Sequence, residues 1–435
     1  MKKICLTLVG IYMMMLHAFS QVSSKDTSDY TPKKLALDEV NIVTGYYNQT
    51  ADKSAVMGGR TDSKGIGNVT DLANGIDVKF VSWDKKQRKN SFTTGLGIDY
   101  HTAASQAYVD SSGHARNNGT RIYPTLDWTI ENEKKGTEFG IGAYYSAEHK
   151  YYHSIGLNTS FSKKTNHNGV FGIKLTGYFD QIKMIKPSEF LPIDSIKNLA
   201  SSDSVVYVTS ASGQTQALTY RNGQLVGGSD KGKRNNIPSS ARNTLTTSFS
   251  FDQVINARMQ GSIALDLVYQ SGYLGLPFHR VYFNNGKDSI ENLPSQRFKL
   301  PIGLRLNYFL GDNIIIRTYY RFYVDSWGLQ SHTVNIEVPV KITPFFSVSP
   351  FYRYYTQTAA KYFAPYEGHS PQDQYFTSNY ALAAFNSQFF GVGLRFAPPK
   401  GVFVKSLKML EIRYSHYTQT TNLNADMISL NLKFK

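Results

Sequence analysis

The chain has 435 residues and carries 47 Lys and Arg against 32 Asp and Glu, a formal charge of +15, with a single cysteine. Cys5 sits at the extreme N-terminus, so disulfide scaffolding and thiol chemistry are excluded for the rest of the chain. No apolar run is long enough for a helical membrane span, and the basic balance comes without a nucleic-acid motif.

The first 21 residues are MKKICLTLVGIYMMMLHAFSQ. Lys2 and Lys3 form a basic start, Cys5 to Leu16 a short apolar stretch, and Ala18 and Ser20 the small residues of a cleavage site. This pattern predicts a signal peptide over 1–20, cleaved near Ser20. An uncleaved anchor is the competing reading. Residues 21–36 are predicted as a short periplasmic segment, and 37–435 as one domain, because no Pro-rich or Gly/Ser-rich linker divides them.

From there the hydrophobic period is two. In FTTGLGIDY, Phe92, Leu96, Ile98 and Tyr100 share a face opposite Thr93, Gly95, Gly97 and Asp99. In SIALDLVYQ, Ile263, Leu265, Leu267 and Tyr269 oppose Ser262, Asp266 and Gln270. Such alternation marks strands with one apolar and one polar face. It predicts strands near 37–47, 72–83, 90–103, 120–131, 137–148, 151–162, 169–181, 242–252, 258–272, 296–310, 313–325, 328–342, 346–358, 385–397, 406–418 and 425–434. That makes sixteen, or fourteen if the strand near 37–47 and the break at 310–313 fail.

Alternation alone does not separate a soluble sandwich from a membrane barrel. Connection length does. Every second connection is short, as in DKKQRK, NEKKG, KKTNHN and GDN, whereas the others include the long segments 48–71, 182–241 and 359–384. A transmembrane barrel has short periplasmic turns and longer outer loops in this way. Aromatic residues are 14% of the chain, with 30 Tyr and 26 Phe, and that supply suits interfacial girdles. The last strand, ADMISLNLKFK, ends with Phe434 next to the C-terminus and resembles the signal used by barrel assembly machinery. The expected fold is therefore an all-β transmembrane antiparallel barrel in an outer membrane, facing lipid and lipopolysaccharide.

The stretch SPFYRYYTQTAAKYFAPY then places Tyr352 and Tyr354 on the lipid face and Phe351, Arg353, Tyr355 and Gln357 on the lumen face, with a bulge expected at Pro350. The lumen faces of the later strands carry Arg305, Arg317, Arg321, Glu337, Arg353, Arg395, Glu411 and Arg413, beside Lys299, Lys341 and Lys433. The earlier strands carry mainly acids there: Asp77, Asp99, Asp127, Glu131, Asp180, Asp252 and Asp266, with Lys79 and Lys174. One reading is a pore with a transverse field whose arginine wall favours a small anionic solute. The other is a ladder of ion pairs that fills and stiffens the barrel, with Glu337 flanked by Arg317, Arg321 and Arg353, and Glu411 by Arg395 and Lys433. The long segment 182–241 contains VVYVTS and QALTYRNGQLV, which predict a small hairpin on SASGQT.

Enzyme chemistry finds little support. In RYSHYTQTTN, Ser415 and His416 point to opposite faces, and His416 and Thr418 share a face without a recognised acid partner. His149 and His153 near Glu148 are a weak metal or protease signal, and no cofactor, metal or catalytic residue is assigned.

Five stretches carry a resemblance: LDEVNIVTGYYNQTADKSAVMGG, LTTSF, RIYPTLDWTIENEKKGTEFGIGAYYS, GYLGLPFHRVYF and PFYRYYTQTAAKYFAPY. Together they resemble a family of Gram-negative outer-membrane proteins known only as a domain of unknown function. The resemblance implies an outer-membrane location and supplies no reaction. It singles out words at the outer rim, with His279, Arg280, Gln357 and Lys361 as candidates for a ligand site at the mouth. The expected function is a channel for small polar solutes, with a closed, partner-binding or structural barrel as the alternative.

Overall fold

The computed structural model describes residues 31–51, 68–103, 117–148, 151–183, 204–209, 215–221, 224–228, 239–277 and 279–435. The predicted signal peptide, His149 and most of the 182–241 segment lie outside the described residues. Seven strands come first: β1 (Ala36–Ala51), β2 (Val69–Trp83), β3 (Lys89–Ala103), β4 (Asn117–Asn132), β5 (Thr137–Glu148), β6 (Tyr152–Lys164) and β7 (Gly169–Lys183). Next are β8 (Ser204–Thr209), β9 (Thr215–Arg221) and β10 (Gln224–Gly228), which form a three-stranded sheet of their own. The antiparallel β8–β9 pair is the hairpin expected on SASGQT.

The chain continues with β11 (Ser239–Asn256), β12 (Met259–Gly272), β13 (Arg280–Tyr282), β14 (Asp288–Ile290), β15 (Gln296–Leu310) and β16 (Ile314–Asp325). The last are β17 (Gln330–Glu337), β18 (Val340–Thr343), β19 (Phe346–Gln357), β20 (Phe385–Phe396), β21 (Leu407–Gln419) and β22 (Leu423–Phe434). Apart from β8–β10 and the β13–β14 pair, all belong to one antiparallel sheet. β1 pairs with β22 from Val40↔Phe434 to Ala51↔Leu423, so the sheet closes on itself and has no free edge.

β17 and β18 are one interrupted strand, which makes the barrel sixteen-stranded. Two prolines on neighbouring strands cause the interruption: Pro339 and Pro350 both lack an N–H. The ladder continues around them, with Val338 N donating to Pro350 O at 3.0 Å and Ile315 N donating to Pro339 O at 3.0 Å. The bulge expected at Pro350 is not there. Glu337 opposes Phe351 and Val340 opposes Val348 in the same register, and the shift comes later, between Lys341 and Thr343.

The alternation works out as a wall with an apolar outside. Leu157, Ile263 and Val334 are 54%, 53% and 52% exposed, members of a belt of large apolar side chains around the barrel. In water such a surface would aggregate. In a bilayer it is solvated, and closure pairs the backbone of the first and last strands with each other. Both described chain ends and the turns 84–88, 133–136, 165–168, 257–258, 311–313, 344–345 and 397–406 lie at one rim. Among the described residues, the opposite rim carries the segments 273–295 and 358–384 and the turns 326–329 and 420–422.

Buried apolar clusters lie at that second rim. Trp327, Leu329, Ala360 and Leu382 pack together with Leu274 and Tyr362, and Val281, Phe283 and Phe376 form a second group. They tie segment 273–295 to segment 358–384, helped by paired backbone bonds between Asn292 and Phe376 of 3.1 and 2.8 Å.

Candidate functional site

Lumen-facing residues of β15 to β22 enclose a cavity of about 1130 Å³. Arg305 enters from β15, Arg317, Tyr319 and Arg321 from β16, Asn335 and Glu337 from β17, and Arg353 and Tyr355 from β19. Phe389 and Tyr417 complete it from β20 and β21. The register lines these up. Tyr319 opposes Asn335, Asn335 opposes Arg353, Arg353 opposes Phe389, and Phe389 opposes Tyr417. A row of register partners thus crosses the wall at one level.

Glu337 is the carboxylate of this cavity and it is already committed. Arg317 Nη1 lies 3.6 Å from Glu337 Oε2, and Arg413 reaches Glu337 Oε1 from β21, two strands beyond β19. The neighbour-strand pairings expected for Glu411 do not form. Glu411 takes Arg413 of its own strand at 3.2 Å, and Lys433 instead pairs with Glu39 on β1. The reason is stagger: neighbouring residues across a tilted ladder are not always the ones whose long side chains meet.

Among the described residues, Arg305, Arg321, Arg353 and Arg395 form no ion pair. Two of them lie against rings. The Arg305 guanidinium carbon is 5.7 Å from the Tyr319 centroid, and that of Arg353 is 5.4 Å from Phe389. The quadrupole of a ring holds a cation without neutralising it. Arg395 lies outside the cavity lining, opposite Ser347 and Glu411.

The facing wall is different. Asp99 accepts from Arg121 Nε at 2.8 Å and from the Tyr123 hydroxyl at 2.8 Å, while Arg242 Nε donates to Asp180 at 2.9 Å. Asp180 and Arg242 line a second cavity of about 430 Å³ with Tyr152 and Gln270. Asp77, Asp127, Asp252 and Asp266 make no ion pair among the described residues. Arg121, Arg242 and Arg297 were absent from the lumen residues expected above. Each has the parity of one that was included, Asp127, Asp252 and Lys299, so strict application of the period would have found them.

The rim candidates have other roles. His279 is fully buried, and Gln357 is 8% exposed. The Gln357 amide donates to Ala381 O at 3.0 Å and Ala383 O at 2.5 Å, and its oxygen accepts from Tyr355. Lys361 lies along Gly328, with its backbone N–H bonded to Trp327 O at 2.9 Å. Arg280 belongs to β13, and its side chain lies outside the described residues. These words therefore build the packing between the two rim segments.

Glu291 is at the centre of that packing, 3% exposed. It accepts from Leu276 N and from Thr377 Oγ1, and burial pushes its carboxyl up to about 7 despite both bonds. His369, 5% exposed, bridges Asp373 at 3.1 Å and Thr377 O at 3.0 Å.

On the lipid face, Ser415 and His416 do point opposite ways. His416 nevertheless has an acid partner that the local sequence did not show: Asp426 on β22 lies 2.8 Å from its Nδ1 and also accepts from Tyr414 at 2.8 Å. Among the described residues no group of three or more His, Cys, Asp or Glu side chains is placed to hold a metal.

Residues 82–431 match the model of the family described as "Protein of unknown function (DUF3570)". The chain belongs to this family. No curated protein sequence matches it. Among solved structures, this DUF3570 member is similar to OccK9 (OpdG) of Pseudomonas aeruginosa, with 9% identity, 92% of this chain and 97% of the other covered, and a TM-score of 0.36. Acinetobacter baumannii OccAB3 gives 10% identity, 91% and 98% coverage, and a TM-score of 0.38. A structure described as a bacterial polysaccharide outer membrane secretin gives 8% identity, 91% and 98% coverage, and a TM-score of 0.41.

Proposed function

We propose that this barrel is an outer-membrane channel for small polar solutes with a preference for anions. The observation that carries the reading is the set of Arg305, Arg321 and Arg353 in one cavity of about 1130 Å³ whose carboxylate, Glu337, is already held by two other arginines. Unneutralised guanidiniums on a low-dielectric wall raise the local concentration of anions, and acids on the facing wall orient a dipolar solute. The short-turn rim faces the periplasm and the long segments face outward, beside lipopolysaccharide. The leader over 1–20 is removed on export, and the C-terminal strand with Phe434 engages the assembly machinery. The reading assigns no reaction to the barrel.

The test is single-channel conductance of the refolded protein in a planar bilayer, with the reversal potential under a salt gradient. The reading expects steady conductance with anion preference that falls in Arg353→Glu and Arg321→Glu. A folded barrel that stays electrically silent overturns it. Silence would favour the closed, partner-binding barrel, for which the buried packing of segments 273–295 and 358–384 across one rim is the supporting observation.

A further inference from the structure

The turn 397–406, APPKGVFVKS, is the longest on the short-turn rim, and it is built rather than loose. Gly401 N donates to Pro398 O at 3.0 Å, Val402 N to Leu407 O at 2.7 Å, and Leu407 N to Val404 O at 3.2 Å. Val402 is 2% exposed and anchors the turn. Gly401 has φ +88°, and a Cβ there would sit 2.3 Å from Val404 O, so glycine is required.

This framework holds Phe403 outward, 93% exposed, with Val404 beside it at 54%. Phe403 has φ +59°, and Val404 N donates across it to Val402 O at 2.6 Å, a three-residue turn of the strained hand. The other non-glycine residues of positive φ among the described residues are Gln87, Asn168, Glu367 and Asn422, all polar. A bulky ring in that region is an outlier that surrounding structure must enforce. Here the enforced conformation displays an apolar side chain at the rim.

The surroundings indicate what covers it. The turn begins where the lipid belt ends: Ala397 N bonds to Phe345 O at 2.9 Å, and Phe345, Phe396 and Ile342 are 43%, 39% and 59% exposed. Lys400, Lys405 and Lys408 flank the tip, and none of them pairs with a carboxylate among the described residues. An aromatic tip continuous with the apolar belt and ringed by cations is complementary to an interface of anionic headgroups over acyl chains.

We propose that the 397–406 turn is a membrane-interface anchor, in which Phe403 and Val404 insert at the acyl boundary of the inner leaflet and the flanking lysines bind anionic phospholipid headgroups. The occupant is phospholipid, and the strain at Phe403 keeps the ring from folding back.

The test uses the full chain with Cys5→Ser and Phe403→Cys, so that one thiol carries a polarity-sensitive fluorophore. The protein is placed in phosphatidylcholine bilayers with or without phosphatidylglycerol, and heat-modifiability confirms that it is folded. A label at Asp312→Cys, in the turn 311–313 of the same rim, is the reference. The proposal expects blue-shifted emission at position 403 and several-fold stronger quenching than at 312 by lipids carrying a nitroxide at the top of the chain. It also expects the quenching to increase with phosphatidylglycerol. A label as wet at 403 as at 312 in both bilayers overturns the anchor and leaves the tip to a protein partner. Equal quenching with and without phosphatidylglycerol overturns the anionic headgroup assignment.

Discussion

Glu291 and Thr377 lie 86 residues apart in the chain and share a hydrogen bond of 2.7 Å, both closed off from solvent. Through that bond, and through Asn284 N on the His369 carbonyl at 2.9 Å, one rim segment is fastened to the other. The Glu291 carboxyl rises from 4.5 to about 7, with burial the largest cause and the bonds from Thr377 and Leu276 opposing it. Because the folded value is raised, the closed rim binds a proton that the open rim releases between those values. Stability of the closure is therefore greatest below about pH 4.5 and declines as pH rises to about 7, by up to about 3 kcal/mol. Protection factors of amides in segment 273–295, with the intrinsic base-catalysed rate divided out, should fall across that window, and Glu291→Gln should flatten the profile. An unchanged profile in the variant would reject this origin.

Glu337→Gln tests the lumen from the opposite direction to the arginine variants. It leaves the Arg317 and Arg413 guanidiniums without their shared carboxylate, so the anion-to-cation permeability ratio should rise by roughly twofold or more. A reversal potential that shifts toward cations, or not at all, contradicts the electrostatic account.

Leu304 is 45% exposed on the outer face of β15 at mid-strand. Leu304→Arg should cost about 2–4 kcal/mol of folding stability in a bilayer, read from urea titration of the reconstituted barrel. Asn335→Asp, a new charge on the lumen side between Tyr319 and Arg353, should fold normally. Equal costs for the two would mean that the faces are assigned wrongly.

Asp325 closes the β16–β17 turn and gathers several donors at the outer rim. It accepts from Arg297 Nε at 2.9 Å, the Tyr323 hydroxyl at 2.7 Å, Trp327 N at 2.9 Å and Leu329 N at 3.2 Å, and the Arg297 guanidinium sits 4.2 Å from the Trp327 ring. Asp325→Ala leaves Arg297 buried without its partner and should cost about 3–5 kcal/mol. Trp327 fluorescence should report early loss of the rim cluster on urea titration.

The sequence by itself determined the strands, their faces and the two unlike rims. Side chains alternate with period two whatever the neighbours are, so Arg305, Arg353 and Glu337 were legible as lumen residues, and Tyr352 as a lipid-facing one, before any pairing was known. The inequality of turn lengths followed from the same count.

Only the tertiary structure decided who meets whom. Closure of β1 on β22 brings Glu39 to Lys433, and stagger sends Arg413 to Glu337 past the two strands between them. Neither the burial of His279 and Gln357 nor the Asp426 partner of His416 could be read from spacing, because each depends on contacts between residues far apart in the chain. Local periodicity is written residue by residue. Long-range pairing is fixed by the geometry of the closed sheet.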